Sequence, residues 1–348
     1  LRWSSHRASS TIRTKHLDTL VHTFLSTIHA CFARHDFVHY QTLGPAIFSF
    51  VPRLFGIKTV VTVQGLDWKG KKWSRAASLF LKVGEWAAAR FPNRTVVFRS
   101  PWRKYFRDRY GSGVTYVPNG TELRDRKSGD LLKSFGIEPD RYALFLERLS
   151  PEKNCDLLIE AFEGISTPLK LVFAGGSSHS DEHASALRKR ASQRVLFLDW
   201  LAGDALDAVL TNAALFVLPS DLERMSLALL DAMGAGVCVL ASDIPENREA
   251  VGDAGFTFKA GDVTDLRRML DFLLSDEVIR SVVADEARKR VRENYLWADV
   301  TAKIEQIYFE LASHREEPVR SVRATTHNCQ RPGFERLICQ TQSDKSSR

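Results

Sequence analysis

The sequence predicts an α/β protein of two domains, each a parallel sheet covered by helices, and three observations carry that prediction. Short β-rich apolar runs alternate with stretches of helical apolar spacing along the chain, the pattern of strands joined by crossover helices. The 348 residues, 44% of them hydrophobic, suffice for two ordinary cores. Residues 118–139, headed by Pro118-Asn119-Gly120, interrupt the alternation where one domain hands over to the next. Strands are expected at 37–40, 59–63, 95–98 and 115–117 in the first half, and at 142–146, 169–174, 195–198, 215–218 and 237–241 in the second. Residues 262–311 read as helix throughout, and 312–348, rich in Arg, Ser, Thr and Gln without periodicity, read as a disordered tail. The chain contains no internal repeat.

Composition narrows the function classes. No run of eighteen apolar residues exists and the first residues are polar, so neither a membrane span nor a signal peptide is visible and a cytosolic protein is expected. Cys31, Cys155, Cys238, Cys329 and Cys339 are scattered, odd in number and without metal-type spacing; they read as buried or incidental thiols rather than disulfides or zinc ligands. The net charge of +7 is unevenly spread, with 22 Lys/Arg against 7 Asp/Glu up to Lys127 and 27 against 35 beyond it. Basic runs such as Lys69-Gly70-Lys71-Lys72-Trp73 and Arg99-Ser100-Pro101-Trp102-Arg103-Lys104-Tyr105 suit peripheral contact with an anionic membrane at its inner face. A solvated surface that keeps the protein soluble is the competing account. Nucleic acid is not expected as a partner, because no recognition module accompanies the charge.

The richest stretch is 215–251, LFVLPSDLERMSLALLDAMGAGVCVLASDIPENREAV. A buried strand at 215–218 ends at Pro219-Ser220-Asp221, a helix runs over 226–233, Gly234-Ala235-Gly236 closes it, and a strand follows. Ligands of open α/β sheets bind outside the carboxyl ends of the strands. Glu223 falls there, at the head of the helix, and Asp231 lies eight residues on, about two turns along. A second block, Tyr142 to Asn154, places Glu147-Arg148 and Lys153 just after a strand.

These two blocks resemble the family 4 (group 1) retaining glycosyltransferases of GT-B fold, in which a Glu, seven residues and a second Glu contact donor sugar and ribose. Further similarity runs through 169–176, Asp243-Ile244-Pro245, Gly252-Asp253-Ala254-Gly255 and Tyr295-Leu296-Trp297, in family order. The resemblance implies two Rossmann-like domains facing a cleft: an acceptor-side domain at 1–135, a nucleotide-sugar-binding domain at 136–296, a helix at 297–312 crossing back to the first, and the tail at 313–348. It also implies that the N-terminal domain is incomplete, since family members begin with a strand, a glycine-rich loop and a helix that this chain does not show.

By that resemblance Glu223 accepts hydrogen bonds from donor-sugar hydroxyls and Asp231 from the ribose, while Arg148 and Lys153 stabilise the departing diphosphate. Met225, Ser226 and Leu227 offer the backbone N–H groups of a helix N-terminus, and Gly175 joins the donor side. The bland readings are surface charges for Arg148 and Lys153 and ordinary helix acids for Glu223 and Asp231. Glu147 and Arg224 stand where the family usually has Gly, and a carboxylate at 147 repels phosphate unless a cation holds it aside. On the acceptor side, His39 and Gln41 occupy the places of a His-x-His pair; Gln41 hydrogen-bonds but exchanges no proton near neutrality. His39 reads equally as a core residue. Gly65 and Asp67, after another strand, are candidates for acceptor hydroxyls, with a plain turn as the alternative.

The first functional expectation, which the resemblance implies, is a hexosyltransferase using a nucleoside-diphosphate sugar as donor and a saccharide or lipid-linked acceptor, with no cofactor and with protein cations in place of a metal; the lack of Asp-x-Asp fits that family. The second is a catalytically inactive protein that binds nucleotide or glycan. A nucleotide-sugar epimerase of the same fold is third. A nicotinamide oxidoreductase is disfavoured, because no Gly-x-Gly-x-x-Gly lies between a strand and a helix.

Overall fold

The computed structural model describes residues 17–33, 35–66, 68, 75–176 and 181–313. Asp67, the basic run at 69–73 and the tail beyond Ser313 therefore lie outside the described residues. Numbered in chain order, the strands are β1 (Phe37–Gln41), β2 (Lys58–Val63), β3 (Arg94–Val97), β4 (Thr115–Tyr116), β5 (Tyr142–Leu146), β6 (Lys170–Ala174), β7 (Val195–Leu198), β8 (Leu215–Leu218), β9 (Val239–Ser242) and β10 (Phe256–Phe258). The helices are α1 (Leu17–Phe32), α2 (Leu43–Ala46), α3 (Phe50–Leu54), α4 (Arg75–Arg90), α5 (Pro101–Tyr110), α6 (Cys155–Glu163), α7 (Asp181–Arg190), α8 (Gly203–Thr211), α9 (Leu227–Gly234), α10 (Pro245–Val251), α11 (Val263–Ser275), α12 (Glu277–Asn294) and α13 (Trp297–Ser313).

β1 to β4 form one parallel sheet in sequence order. The other six form a second parallel sheet in the order β10-β9-β8-β5-β6-β7. In that sheet β5, β6 and β7 are laid down in one direction and β8, β9 and β10 in the other, so the order reverses between β5 and β8. The crevice at the carboxyl ends of those two strands is where such sheets bind ligands.

Alternation along the strands explains the cores. Tyr142 and Leu144 of β5 belong to one buried cluster with Phe216, Leu229 and Met233, while Ala143 and Phe145 belong to a second with Leu158, Phe173 and Leu270. Both faces of this sheet are covered, which is why its strands read as continuous apolar runs. In the first sheet, Tyr40, Val61 and Val97 pack on Leu43 and Phe106. The opposite face carries Val60, Val96 and Val117, and these are buried by Val300, Ile307 and Leu311 of α13. The last helix therefore lies on the first sheet. Its approach runs beside the 118–125 connection: Thr121 N–H donates to Tyr295 O at 2.7 Å and Trp297 N–H to Thr121 O at 3.1 Å. A Cβ on Gly120 would fall 2.7 Å from the Trp297 ring, so only glycine lets the two links pass this closely.

Two expectations change in detail. β10 adds a tenth strand that the sequence did not announce, being three residues long. The helix expected from Ser226 begins one residue later, at Leu227, because Ser226 is its cap, with Oγ accepting from Leu229 N–H at 3.2 Å, and Glu223 lies in the loop before it. Cys155 and Cys238 are buried thiols and Cys31 is half-buried. Among the described residues no helix is long and apolar enough to cross a membrane.

Candidate active site

A cleft of about 650 Å³ opens at the β5/β8 switch point. The second sheet contributes Glu147, Arg148, Glu152, Lys153 and the loop 222–227, with Glu246 from α10. The first sheet contributes Gln64, Gly65, Leu66, Phe98, Arg99 and Trp102, and Asn119 comes from the connection.

Two loops are sewn together to make its floor. After β5 the chain turns through Pro151–Lys153 and into the left-handed conformation at Asn154. Asn154 Nδ2 donates to Pro219 O at 3.1 Å, and Asp221 N–H donates to Glu152 O at 3.1 Å. Between these bonds, Lys153 Nζ donates to Glu223 Oε1 at 2.6 Å and pairs with Glu147 Oε1 at 3.1 Å. The lysine side chain is 5% exposed, Glu223 8% and Glu147 20%, so this is one buried cation shared by two carboxylates. Burial raises the Glu223 carboxyl above its ordinary range, and the Lys153 ammonium opposes that rise.

Arg148 has a different environment. It lines the cleft, is exposed, and its side chain forms no ion pair or hydrogen bond among the described residues. Its fork is therefore open to an incoming anion. Gly175 does not line the cleft; its role is steric. At φ +137° a Cβ there would stand 2.2 Å from Glu147 O, so glycine lets the Glu147–Leu149 segment lie across the end of β6, where Leu149 N–H bonds Gly176 O. Met225 and Ser226 are buried at the cleft wall, and Leu227 is exposed beside them. Asn119 holds this wall, its Nδ2 donating to Met225 O at 3.1 Å.

Asp231 stands apart from the cleft. It accepts a short hydrogen bond from Thr121 Oγ1 and pairs with Arg124 at 3.3 Å, so in this structure it ties α9 to the segment that connects the two sheets. Gln41 reaches the cleft indirectly, as the acceptor of a 3.2 Å bond from Gln64 Nε2. Gly65 lines it directly.

His39 lies away from this cleft. Strand alternation turns it to the α13 face, where Nδ1 meets Tyr308 OH at 2.6 Å and Nε2 meets Thr62 Oγ1 at 2.7 Å. Both ring nitrogens are taken and the residue does not line the cleft. Burial pushes its pKa from 6.5 down to about 4, so the native state holds it neutral. The unfolded chain then binds the extra proton between those values. The stability this group confers is complete above about pH 6.5 and is lost as pH falls toward 4. The expected size is about 3 kcal/mol. In urea unfolding at pH 7.5 and 4.5, His39→Gln should lose less stability than the native chain; equal losses would exclude a buried neutral His39.

Arg99 was read from the sequence as part of a surface basic run, and the structure buries it. It is 8% exposed, donates from Nε to Glu249 Oε2 at 2.9 Å, and makes a short bond from Nη1 to Glu246. Trp102 is likewise 8% exposed. Phe98, Asn119 and Glu246 also escaped the sequence reading, for they follow strands or caps whose cleft-facing position depends on the packing of the two sheets.

Comparison with known proteins agrees with this architecture. Solved structures with the same fold include sucrose-phosphate synthase from Thermosynechococcus elongatus, with a TM-score of 0.74 at 19% identity over 88% of this chain and 81% of that one. Anabaena HepE in complex with UDP and glucose gives 0.71 at 18% identity, over 86% and 83%. The fold is thus that of the GT-B glycosyltransferases. Residues 130–294 match the family of glycosyl transferases group 1. Similar curated proteins include sulfoquinovosyl transferase SQD2 of Arabidopsis thaliana, 28% identical over 50% of this chain and 34% of the relative. The phosphatidyl-myo-inositol mannosyltransferase of Mycobacterium leprae is 27% identical over 61% and 57%. The chain thus spans less than two thirds of these relatives' length.

Proposed function

We propose that this protein is a retaining hexosyltransferase that moves a hexose from a nucleoside-diphosphate sugar to a saccharide or lipid-linked acceptor within the cleft. The observation that carries the reading is the constellation at the β5/β8 switch point: Lys153 bonded to Glu223 at 2.6 Å, with Arg148 unpaired beside them. The chemistry asks for cations where a diphosphate departs and for an acceptor of sugar hydroxyl bonds close by. Arg148 would take phosphate oxygens through its fork, Lys153 as a buried point charge, and Glu223 would face the sugar, with protein cations in place of a metal. The relatives named above are glycosyltransferases, and HepE holds UDP and glucose.

A lipid-linked acceptor is supported by the surface of the first domain. Phe24, Leu25, Ile28 and Phe32 of α1, Leu54 of α3 and Leu79, Val83 and Trp86 of α4 are all exposed, and Asp36 is the only acid between Thr19 and Leu66. Exposed apolar surface with little negative charge suits contact with an anionic leaflet.

The second reading, a protein that binds nucleotide without turnover, is favoured by one observation, the Glu147 carboxylate already seated on Lys153. Calorimetric titration with UDP, GDP and ADP, followed by assay of nucleoside diphosphate release from the matching sugar donors, separates the two. Binding of one nucleotide, weakened at least about tenfold in Arg148→Ala as expected for a charge-assisted bond, together with acceptor-dependent release, supports the transferase. Binding without release supports the second reading. No binding by the folded chain overturns both.

A further inference from the structure

We infer that Glu147 is an intramolecular competitor for the donor's diphosphate, a carboxylate that occupies Lys153 in the free protein and must be displaced when the nucleotide enters. The inference rests on the donor-pocket reading above and adds a determinant of affinity to it.

The argument begins with charge. Lys153 is the most deeply buried cation of the cleft and is held between two carboxylates, so this triad carries a net negative charge where a diphosphate is to bind. The two carboxylates are not equivalent. Glu223 takes the 2.6 Å hydrogen bond and is 8% exposed, whereas Glu147 makes the longer 3.1 Å contact and is 20% exposed. Glu147 is therefore the partner that can leave for solvent at the smaller cost. Its backbone is fixed: the close approach of Gly175 to Glu147 O and the Leu149 N–H bond to Gly176 O hold the segment in place, so displacement moves the side chain alone. Arg148, the adjacent residue, is open to the same anion. A phosphate held by Arg148 and drawn toward Lys153 meets the Glu147 carboxylate as a like charge at short range, in a partly desolvated site where such repulsion is weakly screened.

The consequence is selective. Neutralising Glu147 should strengthen binding of ligands that carry the diphosphate and leave the nucleoside alone nearly unaffected. The test is calorimetric titration of UDP, GDP, ADP and the corresponding nucleosides into the native chain, Glu147→Gln and Glu152→Gln. Lys153 makes its ion pairs with Glu147 and Glu223, and Glu152 lines the same cleft, so the Glu152 variant removes an equal charge while leaving both of those pairs in place. The expected result is a gain of at least tenfold for the preferred nucleoside diphosphate in Glu147→Gln, and changes under threefold for the nucleoside and for Glu152→Gln. Binding that appears only in Glu147→Gln supports the inference as well. Unchanged or weaker diphosphate binding in Glu147→Gln overturns it while leaving the donor pocket standing. So does an equal gain in Glu152→Gln or for the nucleoside. Absence of nucleotide binding in all three chains overturns the donor pocket and the inference together.

Discussion

Replacing Lys153 with Met should cost about 3 kcal/mol of stability and abolish nucleoside diphosphate binding. Removing one member of a buried ion pair is far more disruptive than the net worth of the pair, because the remaining charge stays desolvated without a partner. Here two carboxylates would remain. Glu147 and Glu223 share the Lys153 ammonium, and without it they face each other in a site where burial already raises Glu223. Methionine keeps most of the lysine's volume, so lost packing contributes little. The sign with pH follows from Glu223. Its carboxyl, raised by burial, keeps a proton in the native state where the unfolded chain has lost it, so the deficit should shrink as pH falls toward 5. Adding Glu147→Gln to Lys153→Met should restore part of the stability and none of the binding. Urea unfolding at pH 7.5 and 5, with nucleotide titration, checks both; a stable Lys153→Met chain would mean that the triad is solvated.

The contrast between Lys153 and His39 shows what the sequence makes legible. The strands of the second sheet were readable because both of their faces are buried and each becomes an unbroken apolar run, as at 142–146 and 215–218. The loops that follow them were readable for the same reason: once a strand's carboxyl end is placed, the charged residues just beyond it, Arg148, Lys153 and Glu223, have few other places to be. His39 sits within a strand, and its fate depends on which face a later element covers. That element is α13, whose Tyr308 is 269 residues away. Strand alternation separates Phe37 and His39 from Val38 and Tyr40, but no local signal says that the first pair meets a helix. Asp231 is similar. Its spacing from Glu223 placed it on the right helix, yet its partners Thr121 and Arg124 belong to the segment that connects the two sheets.

Arg99→Met should produce the second large effect, a loss of about 3 kcal/mol with loosening between the two sheets at the lip of the cleft. Arg99 follows β3 of the first sheet, and its partners Glu246 and Glu249 lie on α10, which follows β9 of the second, 147 and 150 residues away. That distance in sequence is why Arg99 read as one more surface cation. Glu249 is used twice, since Oε1 also accepts from Ser100 N–H at 2.8 Å, so the start of α5 is fixed to α10 through the same carboxylate. Removing the guanidinium leaves Glu246 and Glu249, 22% and 16% exposed, without their cation. The two sheets remain joined by the paired links at Thr121 and Trp297 and by α13 on the first sheet, so the expected outcome is local opening rather than separation. Amide hydrogen exchange should accelerate at residues 98–102 and in α10, while β5 and β6 keep their protection. A double-mutant cycle with Glu249→Gln isolates the pair: a coupling above about 1 kcal/mol is expected for a contact this buried, and additive effects would show that Arg99 acts through its packing on Trp102 instead.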